Sequence, residues 1–295
     1  KAQGLVTASE KFIRENKDRP FFLYLPHFAV HTPIQGRADL VAKYRARLKP
    51  GLTHTNATYA AMVESLDTAV GRVRAKLDEL KLADRTIVAF TSDNGGLITR
   101  GTTSNQPLRF GKASAYEGGV RVPLIVHWPG VTKPGSVSDT PTITMDLFPT
   151  LLAAAGLKPP PATSPTGASG RDGVSLVPLL RGTSKLTRTE LFWHYPHHQH
   201  YQLGGATPYS AIRSGDFKLI EFFNDLHVEL YNLREDLGEA RDLATAQPQR
   251  VAELRTRLQA WRKEVGAQMP TPNPNYNPAK PEYTPPPKAK KKANE

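Results

Sequence analysis

Apolar residues in this chain repeat at two different periods, and the change between them divides the sequence. From Thr58 to Leu82, apolar positions Tyr59, Met62, Val63, Leu66, Val70, Val73, Leu77 and Leu80 recur every three or four residues, which predicts one face of a long helix. An all-apolar stretch follows closely, Ile87–Thr91 in TIVAFTSDNGG, and a helix leading into such a run is the pattern of an α/β unit with a covered sheet. Further strands are predicted at FFLYL (21–25) and PLIVHWPG (123–130). Residues 8–17 read as the end of an amphipathic helix and 37–49 as a short basic one. A helix over 142–156 is closed by Gly156.

Beyond Leu180 the period shortens. LFWHYP, YSAIRSGDFKLIEFF and VELYNL cluster strand-forming residues around the turns SGD and FND, which predicts an antiparallel meander. Val251, Leu254, Leu258 and Trp261 then return to helical spacing over roughly Pro248–Val265. The stretch 158–172 is loop by composition, and 270–295 is Pro-rich and then Lys-rich, a solvated or disordered tail. These patterns predict an α/β fold with a mixed central sheet flanked by helices, plus a small C-terminal antiparallel sheet with a helix. Residues 1–187 form the first part, 188–268 the second and 269–295 the tail.

Composition changes this picture little. Hydrophobic residues make up 39% and charged residues 22%, which supports an ordinary buried core. No apolar run approaches the roughly 20 residues of a membrane-spanning helix. The formal charge is +12, but five lysines sit in the stretch from Lys280 onwards and the remaining basic residues are scattered among acids. Without a basic stripe interleaved with aromatics, a nucleic-acid partner is not expected; a weak attraction to sulfated polysaccharide is. The absence of cysteine excludes disulfides, thiolate metal sites and a cysteine nucleophile within these residues.

Candidate chemistry sits where a strand ends. Asp93 and Asn94, in Ser92-Asp93-Asn94-Gly95-Gly96, place a carboxylate beside a carboxamide, a pair of oxygen donors suited to calcium or magnesium. The same residues also make an ordinary Asx-type turn. Lys112, between Gly111 and the turn Tyr116-Glu117-Gly118-Gly119, either points an ammonium at an anion or is a surface lysine. Glu117 and Arg121 read as a pair that shapes this loop. His31, in the loop after FFLYL, is a candidate proton donor or a structural histidine. The run Trp193–His200 contains four histidines; it reads as a polar loop or as a place where His194 meets substrate. Its spacing fits no transition-metal site.

The segments FFLYLPHFAVHTP, TSDNGG, GKASAYEGGVRVPLIVHWPG, TMDLFPTLLAAAG, GRDGVSLVPLL and AIRSGDFKLI with ELYNL, in this order, resemble the formylglycine-dependent sulfatases of the alkaline phosphatase superfamily over about residues 10–245. The resemblance implies hydrolysis of a sulfate ester to an alcohol or phenol plus sulfate. It implies Asp93 and Asn94 as ligands of a catalytic calcium, magnesium being the alternative. It also implies Lys112 and His31 as catalytic, substrate-binding groups, Lys112 bridging the sulfate and the leaving oxygen and His31 donating the proton. A substrate contact by His194 is expected from the position of the C-terminal subdomain in such enzymes.

One departure stands out. The family's formylglycine arises from the Cys or Ser of a Cys/Ser-x-Pro-x-Arg motif, and the chain has none; Ser164-Pro165 continues with Thr166 and Gly167. The nucleophile, the first metal carboxylates and a further Lys and His are therefore expected upstream of Lys1, and the chain by itself is expected to be inactive. The partner is expected to be a sulfated small molecule or polysaccharide, and the location periplasmic or secreted. Two rival readings remain: a phosphoesterase or phosphonate monoester hydrolase of the same superfamily, and a non-catalytic remnant that binds sulfated glycan.

Overall fold

The computed structural model describes residues 2–158, 173–198, 207–271 and 274. Its first half is built on three helices, α1 (Ala2–Glu15), α2 (Ala38–Arg45) and α3 (Ala57–Glu79). The long helix is α3, as its apolar spacing predicts. Asn56 caps it by accepting a hydrogen bond from the Tyr59 amide at 3.0 Å. Ile13 of α1 packs with Leu77 and Leu82 into one small core, and Arg72 of α3 clasps Glu10 of α1 through two hydrogen bonds of 2.9 and 2.7 Å.

Strand β1 (Val88–Thr91) follows and pairs antiparallel with β2 (Leu124–His127), Phe90 opposite Ile125. Between them lies a long loop containing two short helical turns, a 3-10 turn at Thr99–Gly101 and α4 (Glu117–Val120). Strand β1 is half-buried rather than fully covered, and Ile125 of β2 is exposed.

The segment FFLYL corrects an expectation. It forms no strand: Phe22 and Tyr24 are 71% and 76% exposed, while Phe21 and Leu23 lean on the α1–α3 core. A strand exists only through its hydrogen-bonded neighbour, and among the described residues this segment has none.

After β2, a helical turn at Thr144–Asp146 leads into α5 (Leu147–Ala154), and Gly156 ends it at φ +70° as the C-terminal glycine signal predicts. Asp146 is fully buried and anchors the region. It accepts from the amides of Ile143 and Val174 at 2.9 Å each, and from Arg188 at 2.6 and 2.7 Å. The predicted loop 158–172 lies almost wholly outside the described residues, as does the tail beyond Thr271 apart from Pro274.

A short helix α6 (Val177–Leu180) precedes the meander, which forms as predicted. Strands β3 (Glu190–Tyr195), β4 (Tyr209–Ser214), β5 (Phe217–Phe222) and β6 (Val228–Asn232) are antiparallel neighbours in that order. The two-residue period sorts their side chains between two covered faces. Ile212, Leu219 and Leu230 face helix α7 (Pro248–Glu264), meeting Leu254 and Leu258, with Phe192 stacked on Trp261 at 4.8 Å. Tyr209, Ala211, Ile220, Phe222 and Tyr231 face the other way, onto Ala115 and Tyr116 of the loop before α4. That second face positions the candidate site.

Candidate functional site

Strand β1 delivers the chain to Ser92, whose hydroxyl donates to the Asn94 carbonyl at 2.9 Å. The Asp93 carboxylate is exposed and, among the described residues, accepts only from the Asn94 amide, at 3.0 Å. The Asn94 side chain donates its NH2 to the Gly95 carbonyl at 2.9 Å, which leaves its amide oxygen free of donors among the described residues. No basic side chain among the described residues pairs with Asp93. Two oxygen donors are thus presented by neighbouring residues, a pair that suits a hard divalent ion. They are not a complete cage: among the described residues no group of three His, Cys, Asp or Glu side chains is arranged to hold a metal.

Backbone contacts tie this turn to the Lys112 loop. The Gly95 amide donates to Gly119 O at 2.9 Å, the Lys112 amide to Gly96 O at 3.1 Å, and the Gly118 amide to Arg109 O at 2.9 Å. Only glycine permits the approach. A Cβ on Gly95 would stand 1.7 Å from the Gly118 carbonyl oxygen, and one on Gly118 would stand 2.3 Å from the carbonyls of Arg109 and Phe110. Asn105 completes the seam. Its carboxamide accepts from the Gly96 amide at 3.0 Å and donates to the carbonyls of Gly96 and Phe110 at 2.9 Å each.

Asp93, Asn94 and Lys112 are therefore brought into adjoining loops that share one backbone frame. The Lys112 ammonium makes no ion pair among the described residues. His31 is not joined to them: it is exposed, its Nδ1 lies 3.0 Å from Thr32 O, its ring packs edge-on to Phe28, and no described contact reaches Asp93, Asn94 or Lys112.

His194 sits on strand β3 rather than in a loop. Its Nδ1 is 2.7 Å from the Ser210 hydroxyl and its Nε2 is 2.8 Å from Gln268 O. The Nε2 contact pins the segment after α7 to the sheet, while the Nδ1 contact joins β3 to its neighbour β4. His197 and His198 are exposed, and Gln199 and His200 lie outside the described residues.

Sequence reasoning misses what lies beneath the loop. The predicted pair Glu117–Arg121 exists at 3.6 Å, but the main partner of Glu117 is Lys218 on β5, at 2.9 Å. Lys218 also donates to Glu239 Oε1 at 2.9 Å, and the Glu117 amide donates to Glu239 Oε2 at 2.7 Å. Lys218 and Glu239 are 0% exposed and Glu117 is 2% exposed. Burial pushes the Glu239 carboxyl up, and the Lys218 ammonium opposes that shift.

A second layer surrounds the first. The Arg109 guanidinium lies 4.1 Å over the Tyr116 ring and donates to Tyr231 Oη at 2.7 Å and Glu239 O at 2.8 Å. Tyr116 and Tyr231 both donate to Glu229, at 2.7 and 2.9 Å. Burial, and then the Glu229 carboxylate, raises both phenols, so they remain donors. No local pattern marks Lys218, Glu239 or Asn105, because their partners are set by sheet register and loop path.

Comparison with known proteins places this frame. The Sulfatase family model matches residues 2–157, and the C-terminal model of N-sulphoglucosamine sulphohydrolase matches residues 108–264. The chain belongs to the sulfatase family. A sulfatase of Formosa agariphila is 41% identical over 269 residues, covering 84% of this chain and 47% of that protein. Human arylsulfatase A is 36% identical over 207 residues, covering 69% of this chain and 36% of the relative.

Among solved structures, Ps i-CgsB in complex with k-i-k-neocarrahexaose superposes with a TM-score of 0.76 at 28% identity. That match covers 89% of this chain and 55% of the other. BT4656, solved with its substrate D-glucosamine-2-N,6-O-disulfate, gives 0.57 at 27% identity, covering 79% and 47%. The sulfatase fold, alkaline phosphatase-like, is thus the fold of this chain, which spans about half or less of the length of these relatives. No helix among the described residues is long and apolar enough to cross a membrane.

Proposed function

We propose that the protein carrying this chain hydrolyses a sulfate ester, and that the chain supplies one side of the sulfate-binding site. The observation that carries this reading is the seam between the Asp93–Asn94 turn and the Lys112 loop, in a chain of the sulfatase family. Asp93 and Asn94 would contribute two oxygens to a Ca2+ (or Mg2+) site, the other ligands and the formylglycine nucleophile coming from outside this chain's described residues. Their fit rests on an unpaired carboxylate beside a carboxamide oxygen that nothing else engages. When bound, the cation would neutralise charge on the sulfate oxygens.

Lys112 would add an ammonium to the same oxygens as the S–O bond lengthens and charge moves toward the leaving oxygen. His31 would protonate that oxygen. A substrate contact by His194 would require one of its ring nitrogens to leave Ser210 or Gln268.

The substrate class we infer is a sulfated sugar or polysaccharide, supported by the D-glucosamine-2-N,6-O-disulfate and the k-i-k-neocarrahexaose found with two related structures and weakly by the +12 charge. Export to the periplasm or beyond is part of the same reading. So is the division into a catalytic α/β part (1–187), a C-terminal subdomain (188–268) and a tail (269–295).

The test compares sulfate and phosphate monoesters of one phenol on the full-length protein, with and without chelator. Sulfate hydrolysis lost with chelator and restored by Ca2+ is expected. A large preference for phosphate refutes the sulfatase reading, and no hydrolysis of either ester supports the glycan-binding remnant instead. Lys112→Ala should lower turnover by about two orders of magnitude or more. His31→Ala should harm esters with poor leaving groups most, and equal loss across leaving groups removes its role as proton donor.

A further inference from the structure

Lys218 is a charged side chain with no route to solvent and no part in the chemistry above. It projects from the same face of β5 as Ile220 and Phe222, the face that carries the Tyr116 loop. Across the sheet its register neighbours are Arg213 on β4 and Tyr231 on β6. Arg213 reaches toward the same Glu117 carboxylate at 3.9 Å, and Tyr231 binds Arg109. Everything on this face therefore converges on the segment from Arg109 to Gly119.

Burying an ion pair without a compensating role rarely favours stability over an apolar equivalent. The geometry here gives such a role. Lys218 holds Glu117 and Glu239 together, Glu239 holds the Glu117 amide, and the next two residues of the turn meet the metal-binding loop. The Gly95 amide donates to Gly119 O, and Gly118 O fills the space above Gly95. The path from Lys218 to the Asp93–Asn94 turn thus runs through two carboxylates and one backbone bond.

We propose that Lys218 is a positioning residue for the site, which sets the height of the Glu117-Gly118-Gly119 turn and through it the placement of Asp93, Asn94 and Lys112. This rests on the reading of those three residues given above. Lys218 touches neither substrate nor cation; it fixes the separation between the oxygen donors and the ammonium. A displacement of about 1 Å between such groups is enough to cost on the order of a hundredfold in rate.

The experiment uses the full-length protein and two readouts: Ca2+ affinity by calorimetric titration without substrate, and kcat and KM for an aryl sulfate. Four proteins are compared with wild type, each at a temperature where circular dichroism shows it folded. Lys218→Met removes the ammonium and keeps the stem. Leu258→Ala opens the core on the opposite face of the same sheet, a loss of stability of similar order that does not touch the loop. The triple replacement Lys218→Met, Glu117→Gln, Glu239→Gln removes all three charges together and so leaves none buried unpaired. Asp93→Ala reports on the metal reading itself.

Lys218→Met should weaken Ca2+ binding about tenfold and lower kcat by about ten- to a hundredfold, with KM little changed. Leu258→Ala should leave both within about twofold. Equal effects of Lys218→Met and Leu258→Ala, or wild-type values for Lys218→Met, overturn the proposal. If Lys218→Met does not fold, the triple replacement decides: weakened Ca2+ binding supports the proposal and wild-type binding overturns it. Loss of Ca2+ binding in Asp93→Ala with none in Lys218→Met removes the positioning role alone. Wild-type binding in Asp93→Ala removes the metal site and the positioning role with it.

Discussion

Gly95→Ala is the smallest change that should unmake the site. The added methyl group would sit 1.7 Å from Gly118 O, 2.7 Å from Gly118 C and 3.1 Å from Gly119 Cα. All three are backbone atoms, so no side chain can swing away. Ordinary contact begins near 3.4 Å, so the two loops must separate by about 1.7 Å. That movement lengthens the Gly95–Gly119 hydrogen bond beyond use and strains the Lys112–Gly96 one.

Overpacking of this kind costs about 1–3 kcal/mol, and each broken backbone bond adds about 1 kcal/mol. A loss of about 2–4 kcal/mol is expected, a large share of the 5–15 kcal/mol typical of a domain. Urea unfolding followed by circular dichroism measures it directly. A separation above 1 Å between Asp93 and Lys112 should also cost on the order of a hundredfold in turnover. A stability change within about 0.5 kcal/mol with unchanged Ca2+ affinity would show that the loops are not packed against each other in this way.

Asn105 gives a related prediction. Asn105→Ala should cost about 1–3 kcal/mol, because the part-buried Gly96 amide and Phe110 carbonyl lose their partner and the Gly96 carbonyl keeps only the Lys112 amide, and Asn105→Asp should be no better, since a carboxylate would face two carbonyl oxygens; a midpoint equal to wild type for the Asp variant would refute the bond assignment. His27 sets a pH dependence. Its Nε2 is buried without a hydrogen-bond partner among the described residues, and burial lowers its pKa below 6.5. The stability that follows is present above pH 6.5 and is lost as pH falls through the depressed value. Denaturation series at several pH values should show that slope, and His27→Phe should flatten it; an unchanged slope would assign the acid sensitivity elsewhere.

Local periodicity made much of the fold legible. Helices α3 and α7 and the strands β3–β6 each carry an amphipathic pattern of their own. FFLYL has an equally strong pattern and misleads, because an apolar run states only that burial is wanted and pairing supplies the strand. The site divides in the same way. Asp93, Asn94 and Lys112 are marked by glycines that a backbone crossing requires. Lys218 and Glu239 are invisible before folding, since the Lys218 ammonium takes its meaning from two carboxylates, Glu239 and Glu117, that lie 21 and 101 residues away. In FKLIEF the lysine passes as ordinary alternation.

The double-sided sheet has a spectroscopic consequence. Of the chain's three tryptophans, Trp193 packs among the residues on the loop-bearing face, while Trp261 projects from α7 and lies stacked on Phe192. Trp128 stands apart, beside Ile87, Ala89 and Val126 near the end of β2. With each indole in turn left as the lone emitter, the chain becomes three separate optical thermometers. A change confined to the loop should shift the emission of Trp193 while Trp261 stays dark to it, so loosening of the site can be watched in light before any of the helix-covered face gives way.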